Sequence, residues 1–198
     1  MSRGVRFVSF NVNGRTNPIK RNRIEVVYLQ ETHLNSDEHK KLRRMGFTNL
    51  FSSSYKSGRR RGVAIFISKN LNFEMKDKEG RFVLVQGSID GNLVTLMNVY
   101  APPGSDLDFF KKIINMMLTQ TQGFLICGGD LNIRPRPELD SSNRKVPESN
   151  TLYKKVTMLF QKVDLIDIWR ELFPTRRDYS HYSAPHSLYT RIDFHNFC

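Results

Sequence analysis

Short runs of β-branched and aromatic residues, each closed by Gly, Pro, Asn or Asp, recur along the chain at residues 5–10, 26–29, 62–68, 81–89, 93–100 and 124–128. Runs of that length and composition read as strands. Asp90, Gly91 and Asn92 supply the residue types of a tight hairpin turn, so the strands on either side of them are expected to be antiparallel neighbours. The polar and apolar positions change to a helical period at residues 106–121, where Leu107, Phe110, Ile113, Ile114, Met117 and Leu118 share one face behind a Ser105 cap. Further helices are expected at 37–45, capped by Ser36 and stopped by Gly46, and at 151–161, with a short turn at 166–173. Residues 134–147 read as a polar, proline-bearing loop. Strands interleaved with a few helices predict two sheets packed face to face with helices outside them.

Composition narrows the class. A chain of 198 residues with 39% hydrophobic residues fits a single domain over residues 1–198 with a core of its own. Its two cysteines, Cys127 and Cys198, are a poor basis for a disulfide scaffold or a four-ligand metal site, so a reducing compartment is expected. No apolar run approaches the roughly 18 residues of a membrane span, and a soluble, intracellular protein is expected.

The net charge of +12 is unevenly placed: residues 1–61 hold 14 Lys and Arg against 4 Asp and Glu. Clusters at Lys20/Arg21/Arg23, Lys40/Lys41/Arg43/Arg44 and Lys56/Arg59/Arg60/Arg61 suit the neutralisation of phosphates as well as they suit a solvated basic face.

Candidate chemistry collects where strands run out: Asn11 and Asn13, Glu31, Tyr100, and Asp130 with Asn132. Mg²⁺ binds through one or two carboxylates plus water and phosphate, a role open to Glu31 and Asn11. Asp130 can orient or deprotonate a water, and Asn132 and Tyr100 can donate hydrogen bonds to growing negative charge. Gly128 and Gly129 are expected to let the chain turn tightly before Asp130. Singly, each of these is equally an ordinary turn residue, a satisfied core hydroxyl or a surface charge. Together they favour metal-assisted chemistry on a phosphate.

The strings VSFNVNG (8–14), YLQETH (28–33), RGVAIFI (61–67), LMNVYAPP (96–103), LICGGDLN (125–132) and DLIDIWRELFP…YTRIDF (164–194) stand in one fixed order. Together they resemble the apurinic/apyrimidinic-type endonuclease domain of LINE-type, non-LTR retrotransposons, within the endonuclease/exonuclease/phosphatase superfamily. The resemblance implies a four-layered, DNase I-like α/β sandwich with two mainly antiparallel sheets. It implies nicking of DNA in the nucleus by metal-assisted attack of water on a backbone phosphate, with Mg²⁺ and no organic cofactor. It assigns Glu31 and Asn11 to the metal, and Asn11, Tyr100, Asp130, Asn132 and Asp193 to catalysis. Asp193 resembles the aspartate that orients a catalytic histidine. Ser180 sits where the family keeps a small hydroxyl residue near the DNA backbone, and Asn13, Arg59, Arg60 and Arg61 fall on the expected DNA face.

Two departures from the family pattern qualify the expected activity. Only 20 residues separate Asn11 from Glu31, about two helical turns fewer than the family uses, so a shortened crossover is expected to disturb Glu31. The chain holds no Ser-Asp-His triplet after Asp193, so the last strand, with its Asp and His, is expected to be missing; His181, His186 and His195 do not replace it. The alternative is therefore an impaired retrotransposon remnant that keeps the fold and DNA binding. Another substrate on the same scaffold, such as an inositol phosphate, a sphingolipid head group or an RNA tail, fits the basic first segment less well.

Overall fold

The computed structural model describes residues 4–13, 24–42, 47, 49–54, 61–68, 71–143 and 151–197. Four strands, β1 (Phe7–Asn11), β2 (Val26–Gln30), β3 (Asn49–Ser53) and β4 (Val63–Ile67), form one sheet in the order β1-β2-β4-β3, with helix α1 (Ser36–Lys41) between β2 and β3 in sequence. The rest of the strands are β5 (Phe73–Glu79), β6 (Phe82–Ile89), β7 (Asn92–Tyr100), β8 (Phe124–Asp130), β9 (Ile166–Asp167), β10 (His181–Ser183), β11 (Leu188–Thr190) and β12 (Asp193–Phe197). A six-stranded sheet runs β5-β6-β7-β8-β12-β9, and β10 and β11 make a separate hairpin. Among the described residues, only β1·β2 and β7·β8 are parallel pairs. The helices on the second half of the chain are α2 (Leu107–Gln120), α3 (Pro137–Asp140), α4 (Thr151–Gln161) and α5 (Ile168–Leu172).

Alternation along the strands explains the layering. Val94, Leu96 and Tyr100 of β7 point one way and meet Val26, Tyr28, Val63, Ile65 and Ile67 of the smaller sheet, which makes the core between the sheets. Met97 and Val99 point the other way, against Phe110, Ile113, Ile114 and Met117 of α2 and Val156 of α4. The outer face of the smaller sheet carries its own cluster, Val27, Leu29, Ala64 and Phe66, with Leu42 beyond the end of α1 packed on it. Each such buried side chain contributes about 1.5–3 kcal/mol. The result is the α/β sandwich of two packed, mainly antiparallel sheets with helices outside them.

Several local expectations are corrected by hydrogen bonding. Helix α2 is capped by Asp106, whose side chain accepts from Phe109 N at 2.9 Å, rather than by Ser105; Leu118 is 66% exposed, one position past the buried face. Asn35, not Ser36, caps α1, and with Glu38 it completes a reciprocal capping box. The remainder of the expected 37–45 helix, from residue 43, lies outside the described residues, as does residue 46. The polar loop contains α3. Gly128 and Gly129 do not turn the chain, since β8 continues through them to Asp130. A Cβ on Gly128 would lie 2.8 Å from the Tyr28 ring, and one on Gly129, at φ +135°, would lie 1.9 Å from the Val99 carbonyl oxygen. Gly128 is required for the close approach of the two sheets, and Gly129 for the approach of β8 to its neighbour β7 within one sheet. The Asp90-Gly91 turn is as expected: both residues have positive φ and Ile89 pairs with Asn92, the geometry of a two-residue type I′ hairpin.

Candidate active site

Three strand ends from two sheets converge. The in-register parallel pairing of β1 and β2, from Phe7↔Val26 to Asn11↔Gln30, sets Glu31 just beyond Asn11, while β8 delivers Asp130 from the other sheet. The Asn11 side-chain nitrogen donates to Glu31 Oε1 at 3.0 Å and to Asp130 Oδ2 at 2.7 Å, and its carbonyl oxygen accepts from Asn13 N at 3.1 Å. Residues 14–23 of the crossover lie outside the described residues, but Glu31 reaches the position beside Asn11 and Asp130. Asp193, at the start of β12, stands opposite Asp130 in the β8–β12 register. These groups line a cleft of about 470 Å³ together with Asn13, Trp169, Ser180 and His181.

The remaining expected residues are placed as follows. Tyr100 ends β7 beside the Glu31 carboxylate. Asn132 N donates to Asp130 Oδ1 at 2.9 Å, and the Asn132 side chain donates to the Ala101 carbonyl at 3.0 Å, which steadies the segment that follows Asp130. The Ser180 hydroxyl accepts from Ile192 N at 3.2 Å and Asp193 N at 3.3 Å, so it is turned toward the start of β12. Arg61 precedes β4 and its carbonyl accepts from His33 N. Arg59 and Arg60 lie outside the described residues.

Burial in the cleft disturbs the protonation of two of its carboxylates, Asp130 and Asp193. Burial first, then the neighbouring Asp193 charge, pushes Asp130 up to about 7, against the opposing pull of its bonds from Asn11 and Asn132. Burial likewise raises Asp193, although Ser180 and His181 act the other way. Tyr100 is raised by burial and by the adjacent Glu31. One oxygen of Asp193, Oδ1, is buried and has no hydrogen-bond partner among the described residues.

Groups to which the sequence assigns no role hold the site together. Asn98, buried between the sheets, donates to the carbonyls of Leu29 and Ala64 at 2.9 Å each, and accepts from Gln30 at 2.7 Å, tying β7 to β2 and β4 one turn of pleat away from the cleft. Beneath Asp193, the Arg170 and Arg191 side chains converge on Asp140, and Arg191 also grips Asp167. Both sets read in sequence as ordinary strand-end or surface polar residues, and only the long-range pairing reveals them.

His39 gives the site a measurable acid sensitivity. It is fully buried and desolvation lowers it to about 4, against the smaller opposing influence of its Asn35 and Glu38 contacts. The folded protein thus prefers the neutral ring, whereas the unfolded chain takes up a proton near pH 6.5. His39 therefore contributes stability that is complete above about 6.5 and is lost as the pH falls toward 4, by up to about 3 kcal/mol. Urea unfolding at a series of pH values is expected to show the stability gap between wild type and His39→Gln shrinking over that window. A gap that stays constant with pH would show that His39 is not held neutral.

A two-sheet α/β sandwich with carboxylates and amides gathered at one rim defines the class of protein. The chain belongs to the endonuclease/exonuclease/phosphatase family, whose profile matches residues 8–195. Among solved structures it is similar to the Xenopus laevis APE2 catalytic domain (21% identity, TM-score 0.74, covering 96% of this chain and 81% of that one). It is also similar to the endonuclease domain of TRAS1, a telomere-specific non-LTR retrotransposon (14%, TM-score 0.71, 98% and 85%). A third is the 3′ phosphatase NExo from Neisseria, solved with a product DNA hairpin (21%, TM-score 0.66, 98% and 86%). Nucleases of this family generally depend on a divalent metal.

Proposed function

We propose that this chain hydrolyses phosphodiester bonds in DNA with the help of Mg²⁺, nicking one strand in the manner of a retrotransposon endonuclease. The observation that carries the reading is the Asn11 amide bridging Glu31 and Asp130, which gathers an acid from each sheet at one cleft.

The donor set fits a hard cation. Mg²⁺ keeps several waters and takes one or two carboxylates plus phosphate oxygens. Glu31 offers a carboxylate, and Asn11 a carbonyl oxygen with a second lone pair beyond the one used by Asn13. No group of three or more His, Cys, Asp or Glu among the described residues is arranged to hold a metal; Glu31 and Asn11 would hold the ion with water and phosphate oxygens. When bound, the cation neutralises charge on the phosphate and on the leaving oxygen. Asp130, held near neutrality, orients the attacking water and takes its proton; Asn11 keeps that carboxylate aimed. Tyr100, kept protonated, and Asn132 donate toward the phosphate. Asn13 and Ser180, which line the cleft, would contact the DNA backbone.

A supercoiled plasmid is the direct test. Open circles are expected with Mg²⁺, none with EDTA, and Glu31→Gln is expected to need much higher Mg²⁺ for the same rate. Cleavage that ignores EDTA would remove the metal from the reading. A second reading, a remnant that binds DNA without cutting it, is favoured by Asp193 Oδ1, which has no hydrogen-bond partner among the described residues where the family resemblance implies a bond from this aspartate to a histidine. DNA retardation by wild type with no Mg²⁺-dependent nicking would support that second reading.

A further inference from the structure

We infer that Thr32 and His39, neither of which touches the cleft, are positioning residues for the Glu31 carboxylate. The inference rests on the reading of Glu31 as the metal ligand. Glu31 leaves β2 with φ +51° and His33 follows with φ +54°, a left-handed conformation that residues with side chains adopt only when their surroundings enforce it. Between them Thr32 is fully buried. Its backbone N–H donates to Gly62 O at 3.1 Å and that of His33 to Arg61 O at 2.8 Å, so the segment is tied to the start of β4 on one side.

The other side is held by a side-chain relay. Thr32 Oγ1 shares a hydrogen bond of 2.9 Å with His39 Nε2, and His39 Nδ1 shares one of 3.0 Å with Ser54 Oγ, just past β3. The histidine itself is fixed on α1, whose first turn is closed by the Asn35–Glu38 capping box. There is no slack around the threonine hydroxyl: a Cβ on Gly62, itself at φ +94°, would come within 2.4 Å of it. A hydroxyl, an imidazole and a glycine thus fix the backbone on both flanks of Thr32. Glu31, one residue earlier, has its direction set before any cation arrives. Its second oxygen, Oε2, lies 3.6 Å from His33 Nε2, so the same strained turn places a second polar group beside the carboxylate. Groups that orient a metal ligand without touching the metal typically govern its affinity 10- to 100-fold.

The test uses Mn²⁺ as probe, with no DNA present, and reads its binding by electron paramagnetic resonance alongside hydrogen exchange at the Thr32 and His33 amides. Thr32→Val, which keeps shape and removes the hydroxyl, and His39→Leu are each expected to weaken Mn²⁺ binding about 10-fold or more and to speed exchange at both amides, with the circular dichroism of the wild type. His39→Gln, which restores a polar group toward Thr32, is expected to recover most of the loss. A folded Thr32→Val that binds Mn²⁺ like wild type overturns the inference. Glu31→Gln separates the two levels. If it weakens binding while Thr32→Val and His39→Leu do not, the relay alone is refuted; if it binds as wild type, the reading of Glu31 as ligand falls and the relay with it.

Discussion

Asp130→Asn is expected to lower Mg²⁺-dependent nicking of supercoiled plasmid about 100- to 10,000-fold while leaving the protein folded. Asp130 is almost completely buried at the end of β8, with one oxygen receiving Asn11 Nδ2 at 2.7 Å and the other Asn132 N at 2.9 Å. Two donors aim the carboxylate but do not bury it in positive charge; desolvation, then Asp193, brings it up to about 7. A base poised there is unprotonated for much of the time at neutral pH and still basic enough to draw a proton from water. Asparagine has the same shape and keeps one acceptor oxygen, yet it cannot take the proton. The loss should therefore appear in the rate at saturating Mg²⁺ and not in the amount of metal needed, which is the signature expected of Glu31→Gln. Initial rates of open-circle formation across a Mg²⁺ titration distinguish the two. A variant within 10-fold of wild type at saturation would remove Asp130 from the role of base.

What the sequence made legible follows from how local each signal is. The alternation in β6 and β7 and the Asp90-Gly91 turn are local, and so are the buried stripe of α2 and the boundaries of α4; the structure reproduces them. Strand β3, Asn49–Ser53, escapes notice because its serines break the apolar run, and only pairing with the fully buried β4 makes it a strand. The charged β5 sits at the edge of its sheet with a register shift between Met75 and Asp77, where alternation no longer reports a face. Strand β12 has polar residues among its aromatics and owes its place to β8. At the site, Asn11, Glu31 and Asp130 announce themselves as polar residues at strand ends and through the family resemblance, and Asp193 through the resemblance alone. Their supports do not. Thr32, His39 and Asn98 look like unremarkable polar positions, and Asp140, Arg170 and Arg191 like surface charges, because their partners are 7 to 69 residues away in the chain.

That last cluster carries the largest expected stability effect. The Asp140 side chain is completely buried, and those of Arg170 and Arg191 are 4% and 6% exposed. Arg191 Nε donates to Asp140 Oδ1 at 2.9 Å, Arg170 reaches the same oxygen, and the other oxygen accepts from Arg136 N at 2.9 Å. With Asp167 on the far side of Arg191, the group balances two cations against two anions. Asp140→Ala leaves the guanidinium groups of Arg170 and Arg191 facing each other away from water, with Asp167, on the far side of Arg191, as the remaining carboxylate of the group. Breaking such a buried pair costs about 3–5 kcal/mol, a large part of the 5–15 kcal/mol that holds a domain folded. The loss should also loosen Asp193, which follows Arg191 by two residues and whose Oδ1 has no bond of its own among the described residues. Because most of the penalty is uncompensated charge and not lost attraction, removing one cation as well should relieve it. Asp140→Ala with Arg170→Leu is expected to be more stable than Asp140→Ala alone, a strongly non-additive pair in urea unfolding. Strict additivity would mean that the two side chains do not meet in the folded protein, and the anchoring of β12 would then need another origin.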